Sequence, residues 1–310
     1  MKKLIEFEGL LAAPFTPMDK QGNVMPDLVP EYYKMLEENG ITGAFVNGST
    51  GEGASLSQKE KQIMAGKWAE CYKSGGKIRI INLVGGTCYK ECIENAIFSF
   101  EAGISAIAVV APYYFKPPDE GHLAEYCAMV GEAVPQMPVY FYHIPGLSGV
   151  NFPMIKFLEK ISGMLPNFAG IKYTHEDSMD FLSCLRYMEG AYDILCGKDE
   201  NFLPSLALGC KAAIGSTFNY AAPLYHELLR NYREDNLHEA QRLQMLSIEM
   251  IRLLGKYGGM GVGKAFMKYI GFDCGKFRLP VKNLTDEMYP AFAEDVKRLK
   301  MEKYFSRVHR

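Results

Sequence analysis

Lys172 stands near the C-terminal end of the apolar stretch Phe168-Ala169-Gly170-Ile171-Lys172-Tyr173-Thr174. A lysine held among Phe168, Ile171 and their neighbours loses solvation of its charged form. Its pKa then falls, and a useful fraction becomes free amine near neutrality. A free amine attacks ketones and keto acids to give a Schiff base. The bland alternative is a lysine at a sheet edge, whose stem covers apolar surface while its head reaches water. Other residues weigh on that choice. Tyr142 closes the run Tyr140-Phe141-Tyr142, and a phenol held beside an amine can relay protons. The turn Asn47-Gly48-Ser49-Thr50-Gly51-Glu52-Gly53 offers backbone amides and two hydroxyls to an anion such as a carboxylate or phosphate. Taken alone, such a turn is usually only a turn. The run Gly197-Lys198-Asp199-Glu200 is suited to hydrogen-bonding several hydroxyl groups, and Thr174 and Gly215-Ser216-Thr217 are further polar ends of apolar runs. An amine, a phenol, an anion cradle and a hydroxyl-binding wall together suit carbon–carbon cleavage next to a keto acid, because an iminium is an electron sink.

Such a set works only if the chain brings it to one place. Strand-like apolar runs recur about every 25 to 40 residues, at 9–15, 43–47, 78–84, 104–111, 138–142, 168–172, 192–196 and 212–215. Segments with helical spacing lie between them, at 28–39, 58–74, 88–102, 122–133, 153–161, 178–188, 202–208 and 222–231. Near-continuous apolar strands alternating with amphipathic helices imply parallel strands covered on both faces. Eight such units predict a closed (β/α)8 TIM barrel, with a doubly wound sheet as the alternative. Barrel sites form where strands end, so the residues above would share one mouth. The alternation stops after about residue 230. Residues 1–230 read as the barrel and 231–310 as a C-terminal helical extension packed on it, with helices near 237–254, 262–270 and within 286–304.

Composition is that of an ordinary soluble protein. With 48% hydrophobic and 23% charged residues in 310, the chain can bury a large core. A formal net charge of −2 gives no basic field for nucleic acid or an anionic membrane. The longest apolar runs, such as Ile104 to Ala111, are too short to span a bilayer, and Met1-Lys2-Lys3 leads into no signal-peptide core. A cytoplasmic protein is expected. The eight cysteines are scattered and form no Cys-x-x-Cys pair, which favours buried thiols over zinc or disulfides. Gly258 to Lys264 has the spacing of a phosphate loop, but Ala265 follows the lysine and no strand precedes it, so it reads as a helix connection. The basic end from Lys297 reads as a solvated helix and tail.

The motifs Gly48-Ser49-Thr50-Gly51-Glu52, Tyr142-His143-Ile144-Pro145, Gly170-Ile171-Lys172 and Gly197-Lys198-Asp199-Glu200, in this order, resemble the dihydrodipicolinate synthase/N-acetylneuraminate lyase family. The resemblance covers essentially the whole barrel. It implies a Schiff-base lyase without metal or cofactor, cleaving N-acetylneuraminate to pyruvate and N-acetylmannosamine. The alternatives are a related aldolase for 2-keto-3-deoxy sugar acids, a dihydrodipicolinate synthase, and a sugar-acid binding protein without turnover. By similarity Lys172 forms the imine and Tyr142 transfers the proton. Ser49 and Thr50 would hold the pyruvate carboxylate, and Thr174, Gly197, Asp199, Glu200 and Ser216 the sugar portion. The family is commonly tetrameric, and Tyr114 would reach a neighbouring subunit's site. This chain departs from the pattern in four places. His143 stands where many relatives carry Asn, Lys198 lies inside the sugar motif, and 255–263 is glycine-rich where relatives often supply a bulkier wall. Leu147 stands where the synthases typically place an arginine.

Overall fold

The computed structural model of the chain describes residues 3–308. Met1, Lys2, His309 and Arg310, on which the readings of the two ends partly rest, lie outside the described residues. Eight parallel strands close into a barrel in sequence order: β1 Gly9–Ala12, β2 Gly43–Val46, β3 Arg79–Leu83, β4 Ala106–Val110, β5 Val139–His143, β6 Phe168–Tyr173, β7 Asp193–Cys196 and β8 Ala212–Gly215. The sheet shuts where β1 pairs with β8, Leu10 opposite Ala213 and Leu11 opposite Ile214. The doubly wound alternative is thereby excluded.

Strand alternation divides the core in two. Leu11, Phe45, Ile81, Ala108, Tyr140, Tyr142 and Leu195 belong to a cluster that fills the barrel. Alternate residues such as Leu10, Val109, Phe141 and Ile171 belong to a second cluster packed under the helices. Burial on both faces is what makes each strand apolar throughout.

The barrel helices are α1 Val29–Glu38, α2 Gln58–Lys73, α3 Tyr89–Glu101, α4 Glu120–Gly131, the single turn α5 Pro145–Ser148, α6 Met154–Met164, α7 Ser178–Arg186, α8 Phe202–Ala207 and α9 Phe218–Arg233. Side-chain caps start several of them. Ser57 and Glu60 form a reciprocal capping box on α2, and Asp177 accepts from Met179 and Asp180 amides on α7. Asp180 in turn accepts from Met154 N at 2.8 Å and from the Tyr173 hydroxyl at 2.9 Å. The residue after Lys172 is thus tied to two helices.

Beyond α9 come α10 Leu237–Tyr257, α11 Val262–Ile270 and α12 Tyr289–Arg298, with no strand between them. The three expected helices of the extension are all present. The basic end is not the solvated tail that charge alone suggests. Met301, Tyr304 and Ser306 are buried. Ser306 N donates to Tyr220 O and Arg307 N to Asn39 Oδ1, both at 2.8 Å. Apolar and backbone groups between the charges carry that docking, and charge counting does not see them. No helix among the described residues is long and apolar enough to cross a membrane, and all eight cysteines are free.

Candidate active site

Strand pairing sets Tyr142 directly opposite Lys172, on β5 and β6, at the C-terminal mouth of the barrel. Lys172 is buried, and its Nζ lies 4.0 Å from the Phe45 ring centre and 4.2 Å from that of Tyr142. Burial among these rings pulls the Lys172 amine down to about 7, against the opposing charge of Asp199. A substantial fraction of free amine near neutral pH follows. The alternative of a head reaching water is ruled out. Burial pushes the Tyr142 phenol up to about 12, with the nearby hydroxyls of Ser49 and Thr174 opposing, so it rests protonated. Amine and phenol therefore stand side by side.

The loop after β2, the candidate anion cradle, brings Ser49 to this pair. Asn47 and Glu52 both adopt left-handed backbone, with φ of 57° and 58°, and Ser49 and Thr50 lie between them. Ser49 Oγ stands 3.4 Å from the Tyr142 hydroxyl, longer than a firm O–H···O bond and free to tighten on a ligand. Asn47 Nδ2 donates to Asn82 Oδ1 and to Lys61 O, which fixes the start of the loop.

The far wall comes from β6, β7 and β8. Thr174 Oγ1 is buried just beyond the lysine strand, where it makes no hydrogen bond of normal geometry and has the Tyr142 phenol as a polar neighbour. It presses so closely on Gly197 that a Cβ there would lie 1.9 Å from the hydroxyl. Asp199 is also buried, and its Oδ2 accepts from Thr217 N at 2.8 Å and Thr217 Oγ1 at 2.6 Å. Burial raises its carboxyl to about 6 against those two bonds. Glu200 sits at the half-exposed rim, 3.4 Å from the Lys198 ammonium. Ser216 is also partly exposed.

A cavity of about 280 Å³ opens beside the cradle, lined by Ser49, Tyr113, Tyr142, Ile144, Leu147 and Lys61 among others. Lys61 is the one charged side chain lining it among the described residues. Its place inside the pattern of α2 carries no sign of that position. Gln244 and Ser247 carry no sign of their place in the sequence either. Tyr225 bonds Thr217 and Ser247, and Gln244 Nε2 donates to Asp199 O, so α10 braces the Asp199 wall from outside. Gln244 lies 45 residues from Asp199, with no motif to announce it.

The doubtful positions resolve physically. His143 points out of the barrel into aromatic packing, 5.0 Å from the Tyr173 ring. Burial, with His175 nearby, holds it down to about 3, neutral and outside the cavity. Lys198 is partly buried, which opposes its charge, but Glu176 and Glu200 more than offset this and raise its pKa. It is therefore a paired cation and a poor rival to Lys172. Tyr114 does not line the cavity. It is 77% exposed and packs edge-on against Phe115 at 5.0 Å.

A profile of the dihydrodipicolinate synthetase family matches residues 6–299. The N-acetylneuraminate lyase of Gallus gallus is 34% identical over 286 residues, which cover 91% of this chain and 92% of the relative. Two solved structures agree in shape. The N-acetylneuraminate lyase of Proteus mirabilis superposes with a TM-score of 0.92 at 35% identity, over 95% of this chain and 99% of that one. That of Aliivibrio salmonicida gives 0.93 at 33% identity, over 98% and 100%. With four motifs converging on one barrel mouth and a profile match over nearly its whole length, the chain belongs to the dihydrodipicolinate synthetase family.

Proposed function

We propose that this chain cleaves N-acetylneuraminate to pyruvate and N-acetylmannosamine through an imine on Lys172. The observation that carries the reading is the buried Lys172 amine, its pKa lowered by burial, lying across the Tyr142 ring. The free amine attacks the keto carbon of the open-chain sugar acid. The Tyr142 phenol gives its proton to the leaving hydroxyl, so that water departs and an iminium remains. The phenolate so formed takes the proton from the hydroxyl one carbon beyond the methylene. The bond between those two carbons breaks, its electrons enter the iminium, and an aldehyde and an enamine result. Protonation of the enamine carbon and hydrolysis then release pyruvate and restore Lys172. Ser49, Thr50 and their amides would hold the carboxylate throughout. Thr174, Gly197, Asp199, Glu200 and Ser216 would face the sugar hydroxyls.

Leu147 supports a neutral acceptor. It lines the cavity and brings no charge where the synthases of the resemblance place an arginine. Loss of one charge-assisted contact costs about 1.5 to 3 kcal/mol, or roughly 10- to 150-fold in discrimination. Lys61, whose backbone carbonyl holds Asn47, is the one charged residue lining the cavity among the described residues. Measured in parallel, kcat/KM is expected to be highest for N-acetylneuraminate cleavage, with little condensation of pyruvate onto aspartate semialdehyde. A preference for that condensation or for 2-keto-3-deoxygluconate would defeat the substrate assignment. We further propose a homotetramer in which the exposed Tyr114 and Phe115 reach a neighbouring subunit. A monomer in sedimentation velocity would refute it.

A further inference from the structure

Lys264 ends the glycine-rich run whose phosphate-loop spacing leads nowhere, and the chemistry above makes no use of it. The structure nevertheless buries it. Its side chain is 1% exposed and that of Glu52 is 2%, and Nζ meets Glu52 Oε1 at 2.8 Å. Nζ also donates to Lys276 O at 3.0 Å, and Glu52 Oε2 accepts from Arg278 N at 2.8 Å. The Arg278 guanidinium runs on to Gly22 O, Ser55 O and the Glu60 carboxylate, so the anchorage is itself pinned.

Glu52 is the residue that closes the anion cradle. A non-glycine residue in left-handed backbone is strained and persists only where its surroundings over-determine it. Asn47, at the start of the loop, is held from within the barrel through Asn82 and Lys61 O. Glu52, at its end, is held through its side chain from the extension, by α11 and the 276–278 segment. The turn bonds Glu52 N to Ser49 O and Gly53 N to Gly48 O, both 3.1 Å, pass the position of Glu52 to Ser49 and Thr50. Little slack remains, since a Cβ on Gly53 would lie 1.9 Å from Asn47 O. Stability alone does not account for a buried ion pair, because apolar replacements of similar volume are often neutral or stabilising.

We propose that Lys264 is a positioning residue for the reaction: its buried pair with Glu52 latches the Ser49-Thr50 loop in the shape that receives the substrate carboxylate. The C-terminal extension is then part of the active site. The proposal rests on the reading of Ser49 and Thr50 as carboxylate ligands.

The test is cyanoborohydride trapping of pyruvate on Lys172, read as half-saturating pyruvate concentration and as maximal trapping rate, with a thermal melt of each variant. Misplacement by about 1 Å can cost on the order of 10²-fold. Lys264→Met is therefore expected to raise half-saturation at least about tenfold, with the maximal rate changed less than about threefold. The double variant Glu52→Gln/Lys264→Met leaves no charge in the pair and keeps an acceptor for Arg278 N. It is expected to melt near wild type and to show the same rise. Lys256→Met removes an exposed pair to Asp295 in the same extension and is expected to leave half-saturation unchanged. Unchanged half-saturation in either folded Lys264 variant overturns the latch, as does an equal rise in Lys256→Met. Failure of both Lys264 variants to fold makes the residue structural only and overturns the latch too. Absence of any adduct on Lys172 in wild type removes the carboxylate reading itself, and the latch with it. Normal wild-type trapping with insensitive variants removes the latch alone.

Discussion

Lys172→Ala is expected to abolish turnover, a loss on the order of 10⁴-fold or more, the scale on which removal of a covalent nucleophile is felt. Two other lysines are engaged elsewhere. Lys198, the nearest in sequence to the mouth, is tied to Glu176 and Glu200, and Lys264 is tied to Glu52. The fold is expected to survive, because burying an ammonium costs desolvation that the variant no longer meets. Lys172→Met preserves most of the volume between Phe45 and Tyr142 and isolates the loss of the amine from the loss of packing. Turnover followed by pyruvate release, beside a thermal melt, checks both points. Residual turnover above about 1% of wild type in a folded variant would place the nucleophile elsewhere.

Tyr142→Phe is expected to lower turnover by about 10² or more, within the range for a positioned acid–base group. The ring stays, with its face over Lys172 and its edge against Phe45 at a centre-to-centre distance of 5.2 Å. Only the hydroxyl next to Ser49 is lost. Pyruvate should still be trapped on Lys172, since imine formation can draw its proton from water. A variant with near wild-type turnover would move proton transfer to another group.

Much of this fold is legible in the sequence because of how barrels are buried. Strands covered on both faces are apolar runs, and all eight runs fall within a few residues of the observed strands. The largest miss, β1 ending at Ala12 instead of Phe15, comes from Ala13 to Phe15 leaving the sheet while staying buried. Burial, not pairing, is what hydrophobicity reports. The start of α9 at Phe218 is hidden for the opposite reason, since Pro223 and the non-helical Ala221 mask a helix there. Lys172 and Tyr142 are legible because each lies next to last in its strand and carries chemistry out of keeping with its apolar run. The residues that hold the site in shape are not. Glu52 and Lys264 are 212 positions apart, and Asp199 and Gln244 are 45 apart. Glu52 and Asp199 stand in motifs, but nothing near them in sequence points to Lys264 or Gln244. Only the closed barrel and the helices folded back on it make them neighbours.

The central claim is that Lys172 is a depressed-pKa amine which forms the imine. Brief exposure to pyruvate and cyanoborohydride at a series of pH values, followed by peptide mass mapping, tests it most directly. With the Lys172 amine at about 7, only its deprotonated form attacks, so labelling should fall about tenfold per pH unit below neutrality and level off above it. The adduct should lie on the peptide containing Lys172. Labelling at Lys198 instead, or a rate still climbing about tenfold per unit through pH ~9 as for an ordinary lysine, would contradict the account.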